Sequence, residues 1–179
     1  MSIKIMFKKK HNDLKLYFFL IIIILISFSN FTRAKQIGKF KDWTAYSEGE
    51  GRNLACMAVS KPKKEEGNYT KRGEVFSIVT HLPGQDKFNE FSIVTGYNYK
   101  QGSNPEVMIG DLKFQLFTSG SRAWSFSVAE DLKIINSMKS SLKMKVKGTS
   151  SRGTITSDTY SLLGFSKAYQ RINEACKNK

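Results

Sequence analysis

Two cysteines, two histidines and three prolines are all that the 179-residue chain contains of those types. A zinc site built from side chains needs several Cys or His ligands. The chain cannot supply one, because His11 lies in a segment read below as removable and His81 is then left alone. No string has the form of a nucleophile elbow, a phosphate-cradling glycine loop or a dinucleotide fingerprint. Asp86, Glu90, Glu106, Asp111, Glu130 and Asp131 could in principle form the paired carboxylates of glycoside or peptide chemistry, but their spacing selects no pair. The sequence therefore assigns no catalytic, cofactor-binding or metal-binding residue. It shows no internal repeat, and no apolar run reaches the roughly 20 residues that span a bilayer comfortably.

The longest apolar run, Leu16 to Phe28, follows Lys8, Lys9, Lys10 and Lys15 and precedes Thr32-Arg33-Ala34, a small-x-small string. A positive flank, a short apolar core and a small-residue site are the parts of a secretory signal peptide. Residues 1–34 are accordingly read as a signal, and residues 35–179 as a single exported domain. The competing reading keeps the same segment uncleaved, as one N-terminal anchor in the inner membrane. Asn30, Thr32 and Arg33 end the apolar run early and argue against it. Export places the domain in the periplasm or outside the cell.

The formal net charge is +14. A positive excess draws a domain toward anionic lipid headgroups, acidic glycans or nucleic acid, and an exported address makes nucleic acid the least expected of the three. Cys56 and Cys176 both fall in the exported part. An even pair in an oxidising compartment reads as one disulfide, with two free buried thiols as the alternative. Closing a loop on the order of a hundred residues would stabilise by roughly 5 kcal/mol at most on the chain-entropy account.

Glycine and proline punctuate residues 35–179 at intervals typical of antiparallel β-proteins. Between them lie β-branched and aromatic runs that predict strands at Leu54 to Val59, Glu74 to His81, Phe88 to Thr95, Lys113 to Thr118 and Thr154 to Ser161. In Leu142 to Lys147, Leu142, Met144 and Val146 alternate with Lys143, Lys145 and Lys147, apolar inward and cationic outward. Three lysines then share one exposed face. That face is either a contact for an anionic surface or the charged guard of an edge strand.

Ser127-Val128-Ala129-Glu130 has capping-box spacing and predicts a short helix to about Ser140, with Leu132, Ile135 and Met138 apolar on one side and Ile134 beside them. Phe165, Ala168, Tyr169, Ile172 and Cys176 recur at helical steps and predict a C-terminal helix laid on the sheet. His81 falls at the end of a β-patterned run and reads as a strand-end histidine. A hydrolase using His81 with a nearby Ser or carboxylate is the enzymatic alternative. Trp43 and Trp124 read as core residues.

Several strings, taken in order, resemble the invasion-associated locus B family of exported bacterial proteins. They are Gly38-x-Phe40-x-Asp42-Trp43, Cys56, Lys71-Arg72-Gly73, Thr80-His81-x-Pro83-Gly84 and Ala123-Trp124, then Lys147-Gly148-Thr149-Ser150-x-Arg152-Gly153-Thr154 and Asp158-x-Tyr160-Ser161-Leu162-x-Gly164-Phe165-Ser166-x-Ala168. The resemblance implies a β-rich, disulfide-stabilised periplasmic or outer-surface domain and carries over no catalytic residue. Ala123-Trp124 falls where the branch closest to the named invasion factor has additional cysteines, so the resemblance reaches the family and stops short of invasion itself. The fold expected is mainly β: one antiparallel β-sandwich or barrel-like domain with a short helix and a C-terminal helix packed on it. The function expected is non-enzymatic, by binding an envelope or surface partner or by supporting the surface, with Lys143, Lys145 and Lys147 as weak anionic-surface contacts.

Overall fold

The computed structural model describes residues 34–177, which belong to one compact unit. The signal or anchor reading of residues 1–34 lies, but for Ala34, outside the described residues.

Twelve strands and two α-helices follow one another along the unit. The first strands are β1 (Lys35–Phe40), β2 (Trp43–Glu48), β3 (Ala55–Ser60), β4 (Lys64–Gly67), β5 (Phe76–Leu82) and β6 (Lys87–Val94). Then come β7 (Glu106–Ile109), β8 (Leu112–Gln115), β9 (Phe117–Ser119) and β10 (Arg122–Trp124). Helix α1 (Val128–Ser140), β11 (Lys143–Thr149), β12 (Ile155–Ser161) and helix α2 (Phe165–Lys177) complete it. Seven strands form one sheet in the order β1-β2-β3-β5-β6-β10-β9, and five form the other in the order β4-β12-β11-β7-β8. All pairings are antiparallel. Both sheets are open, so the sandwich form of the expectation holds and neither sheet closes into a barrel.

Alternation places the core. Ala45, Cys56, Ala58, Val79, Phe91, Ile93 and Ala123 from the larger sheet and Val107, Ile109, Met144 and Val146 from the smaller are all essentially inaccessible. Helix α2 turns Phe165, Ala168, Ile172 and Cys176 onto β1, β2 and β3. Trp43 is fully buried, stands edge-on to Phe165 at 4.8 Å and donates from Nε1 to the Ser161 carbonyl at 2.9 Å. The Cys56–Cys176 disulfide is formed and closes β3 onto the last turn of α2.

Four local expectations are corrected. Leu132 is 41% exposed, and the buried side of α1 is Ile134, Ile135 and Met138. Leu142 precedes β11 and is exposed rather than inward. The run Lys113 to Thr118 is two strands in different sheets, because buried Leu116 turns inward between them and donates its N–H to Pro105. Most consequential is the place of β11. It pairs with β12 on one side and β7 on the other, so it is the middle strand of its sheet and its lysines guard no edge.

Candidate ligand cleft

Arg72 sits in the connection between β4 and β5, where Gly73 donates its N–H to the Gly96 carbonyl at 3.0 Å. A Cβ on Gly96 would run into the Gly73 backbone, one on Gly73 would press tightly on Gly96, and Gly96 has a positive φ of 70°. Two glycines at this spot thus let the Arg72 segment lie directly on the segment after β6. Arg72 then donates from Nε to the Thr95 carbonyl at 2.6 Å. Its two Nη atoms reach the two carboxylate oxygens of Asp158, each at 2.6 Å. The paired side chains are 3% and 1% exposed, with Glu65 further off at 3.7 Å. Burial works against the guanidinium charge, but the hydrogen bonds and field of Asp158 outweigh it and hold Arg72 protonated. The rings of Tyr97 and Tyr69 lie 5.0 and 5.5 Å from the guanidinium carbon.

Asp158 comes from the inward side of β12, two residues from Thr156 and two from Tyr160. The Tyr97 hydroxyl and Thr156 Oγ1 are 2.6 Å apart, and burial raises the Tyr97 phenol. Over this floor opens a cleft of about 660 Å³ whose walls include Tyr69, Lys71, Asn98, Ser151, Arg152 and Thr156. Arg72 is spent on Asp158, whereas Lys71 and Arg152 are exposed at the walls. Amides, hydroxyls, aromatic faces and two cations suit a polar, anionic or hydroxyl-rich ligand.

Several of the strings that carry the family resemblance gather at two places. Lys71-Arg72-Gly73, the segment from Gly148 to Thr154, and Asp158 meet at this cleft. The segments around Asp42-Trp43 and Gly164-Phe165 meet elsewhere, knitting α2 to the first hairpin through the Asp42 N–H to Leu163 carbonyl bond and the Trp43–Phe165 contact. Neither composition nor periodicity signals the Arg72–Asp158 pair, Tyr97 or Thr156. The one pointer to the pair is that both charged residues belong to those strings.

His81 is 1% exposed and lines none of the cleft. Its Nδ1 accepts the Asn89 backbone N–H at 3.0 Å, which requires a bare nitrogen there. The proton of the neutral ring therefore sits on Nε2, 3.0 Å from Asn173 Oδ1. A ring held in this way ties β5 to β6 and α2, and presents no lone pair to a substrate. Asp131 is also engaged, accepting from Ser125 Oγ at 2.5 Å and the Phe91 N–H at 2.8 Å. It borders a second recess of about 600 Å³ beside the half-exposed ring group of Phe117, Trp124 and Phe126. Trp124 is thus only partly buried, unlike Trp43. Lys143, Lys145 and Lys147 are exposed on the outer face of the smaller sheet and belong to neither recess. Among the described residues, no cluster of His, Cys, Asp or Glu could hold a metal ion.

A disulfide-pinned antiparallel sandwich with a polar cleft and a buried strand-end histidine is the class of protein that the fold defines. The family described as invasion associated locus B (IalB) protein matches residues 43–173, and the chain belongs to that family. No curated protein and no solved structure matches the chain.

Proposed function

We propose that the chain is a non-enzymatic, exported envelope protein that acts by binding, with the Arg72 cleft as its ligand site. The observation that carries this reading is the division of labour at the cleft. Its buried charges, Arg72 and Asp158, neutralise each other, while Lys71 and Arg152 on the walls stay exposed. Exposed cations over a neutralised floor support recognition of a polar or anionic ligand by charge and hydrogen bonds. A disulfide between Cys56 and Cys176 fits an oxidising compartment, and the exported form is read as beginning near Lys35. Among the described residues no helix is long and apolar enough to cross a membrane.

The test is capture from the native envelope fraction with tagged wild type and a Lys71→Ala/Arg152→Ala variant, at low and at high salt. Wild type should retain a partner that the variant loses. Specific retention should survive the higher salt better than charge attraction alone. Identical captures by the two proteins would set the cleft aside.

A further inference from the structure

The register of the smaller sheet gathers its outward side chains into a cationic face. Lys64, Thr159, Lys145, Met108 and Lys113 stand side by side in one row across all five strands. The next row along the strands holds Glu66, Ser157, Lys147, Glu106 and Gln115. Lys143 opposite Ser161 extends the face on the other side of the first row. Two of the lysines are offset by acids, in the pairs Lys64–Glu66 at 2.7 Å and Lys113–Glu106 at 3.7 Å. No ion pair within 4 Å engages Lys143, Lys145 or Lys147 among the described residues.

Such lysines are usually explained as guards against edge pairing. That explanation fails here, because β11 has a hydrogen-bonded neighbour on each side. General solubility accounts for lysine at the surface but not for three of them on one face of one strand. At the paired outward positions of β5, β6, β10 and β9 in the other sheet, the charged residues are one acid, Glu90, and two bases, Arg122 and, beyond a register shift, Lys87 opposite Leu82. The remaining places there hold Phe76, Ile78, Val94, Trp124 and Phe117 among small hydroxyl residues. The strand lysines of the larger sheet, Lys35, Lys39 and Lys87, stand apart on β1 and β6, whereas Lys143, Lys145 and Lys147 share one face of a single strand.

We propose that this face docks on a bilayer rich in anionic phospholipid headgroups, with Lys143, Lys145 and Lys147 as the central contacts. The match is one of shape and charge together. Lysines two residues apart on one strand repeat at about 6.6–6.8 Å, and a planar array of phosphates can meet all of them at once. The face lacks the apolar centre that a protein partner would bury. Exposed Leu142 just before β11 and Ile155 at the start of β12 bracket the stripe, at 70% and 69% accessibility, and give the headgroup layer two apolar side chains. This docking is separate from the cleft and stands or falls independently of it.

The measurement is co-sedimentation of the exported, folded protein with vesicles of 3:7 phosphatidylglycerol and phosphatidylcholine, and with phosphatidylcholine alone. Each lysine near an anionic surface is worth about fivefold in partitioning. A Lys143→Gln/Lys145→Gln/Lys147→Gln variant should therefore lose on the order of 100-fold on the anionic vesicles. A Lys35→Gln/Lys39→Gln/Lys87→Gln variant removes the same net charge elsewhere and should lose far less. Raising the salt should release the wild type. Equal loss from the two triple variants, no loss from the first, or equal binding to neutral vesicles would each overturn the docking face.

Discussion

Arg72 and Asp158 show how one pair of residues shapes a site by being unavailable to it. Each is buried, and each satisfies the other through two hydrogen bonds of 2.6 Å. Removing one partner strands a charge where water cannot reach it, at a cost of about 3–5 kcal/mol, whereas replacing both by apolar residues of similar size costs much less. Denaturant unfolding of Arg72→Ala should show that loss, and Arg72→Met/Asp158→Leu should recover most of it. A double variant as unstable as the single one would mean that the pair does more than neutralise itself.

Asp131 permits a prediction of pH dependence. Burial raises its pKa; bonds from Ser125 and the Phe91 N–H pull it down, and Glu90 and Glu130 push it up again, for a net rise from 3.8. A carboxyl that ionises later in the folded state than in the unfolded one is destabilising when charged. That penalty is full at neutral pH and disappears as pH falls through the raised value toward 3.8. Asp131→Asn, whose Oδ1 can still accept from Phe91 and Ser125, should thus be more stable than wild type at pH 7. The gap should narrow on acidification, as read from denaturant midpoints across the range. A gap that widens in acid would refute the assignment.

At the scale of elements, the disulfide joins pieces that are far apart in the chain. Helix α2 depends on β1, β2 and β3 for its burial, and Cys56–Cys176 closes a loop of 120 positions around that contact. Cys176→Ala with Cys56→Ala should cost several kcal/mol, up to about 5 on the chain-entropy account. Thermal unfolding of the double variant against the oxidised wild type measures it; an unchanged midpoint would deny the bond a stabilising role.

Elements were legible where one periodicity runs unbroken. The alternation from Met144 to Lys147 and the helical stripe from Phe165 to Cys176 are seen in the structure as read. The capping spacing at Ser127 is also real. Ser127 Oγ accepts from the Glu130 N–H at 3.3 Å, though Glu130 reaches back to the Phe126 N–H, one residue earlier than a capping box requires. What periodicity cannot carry is which strand neighbours which. Lys143, Lys145 and Lys147 read the same on an edge strand and on a central one, and only the pairing of β11 with both β12 and β7 decides between them. The split at Leu116 was hidden because one inward residue between two short strands looks like continued alternation. The cleft was hidden because Arg72 and Asp158 are 86 positions apart.

Across the whole molecule, the surface chemistry differs from face to face. Lys143, Lys145 and Lys147 stand together on the outer side of one sheet, the other sheet's outer side is partly aromatic, and the cleft lies where the β4–β5 connection meets the turn between β11 and β12. His81, the residue an enzymatic reading would need, is enclosed between β5, β6 and α2. The claim that this protein binds and does not catalyse therefore separates two residue sets cleanly. The direct test is complementation of a deletion strain under envelope stress, with wild type, His81→Ala and Lys71→Ala/Arg152→Ala matched for folded, exported protein. The account predicts that His81→Ala restores growth as wild type does, while the cleft variant leaves the deletion phenotype. A folded His81→Ala protein as inactive as the deletion, beside a fully active cleft variant, would contradict it.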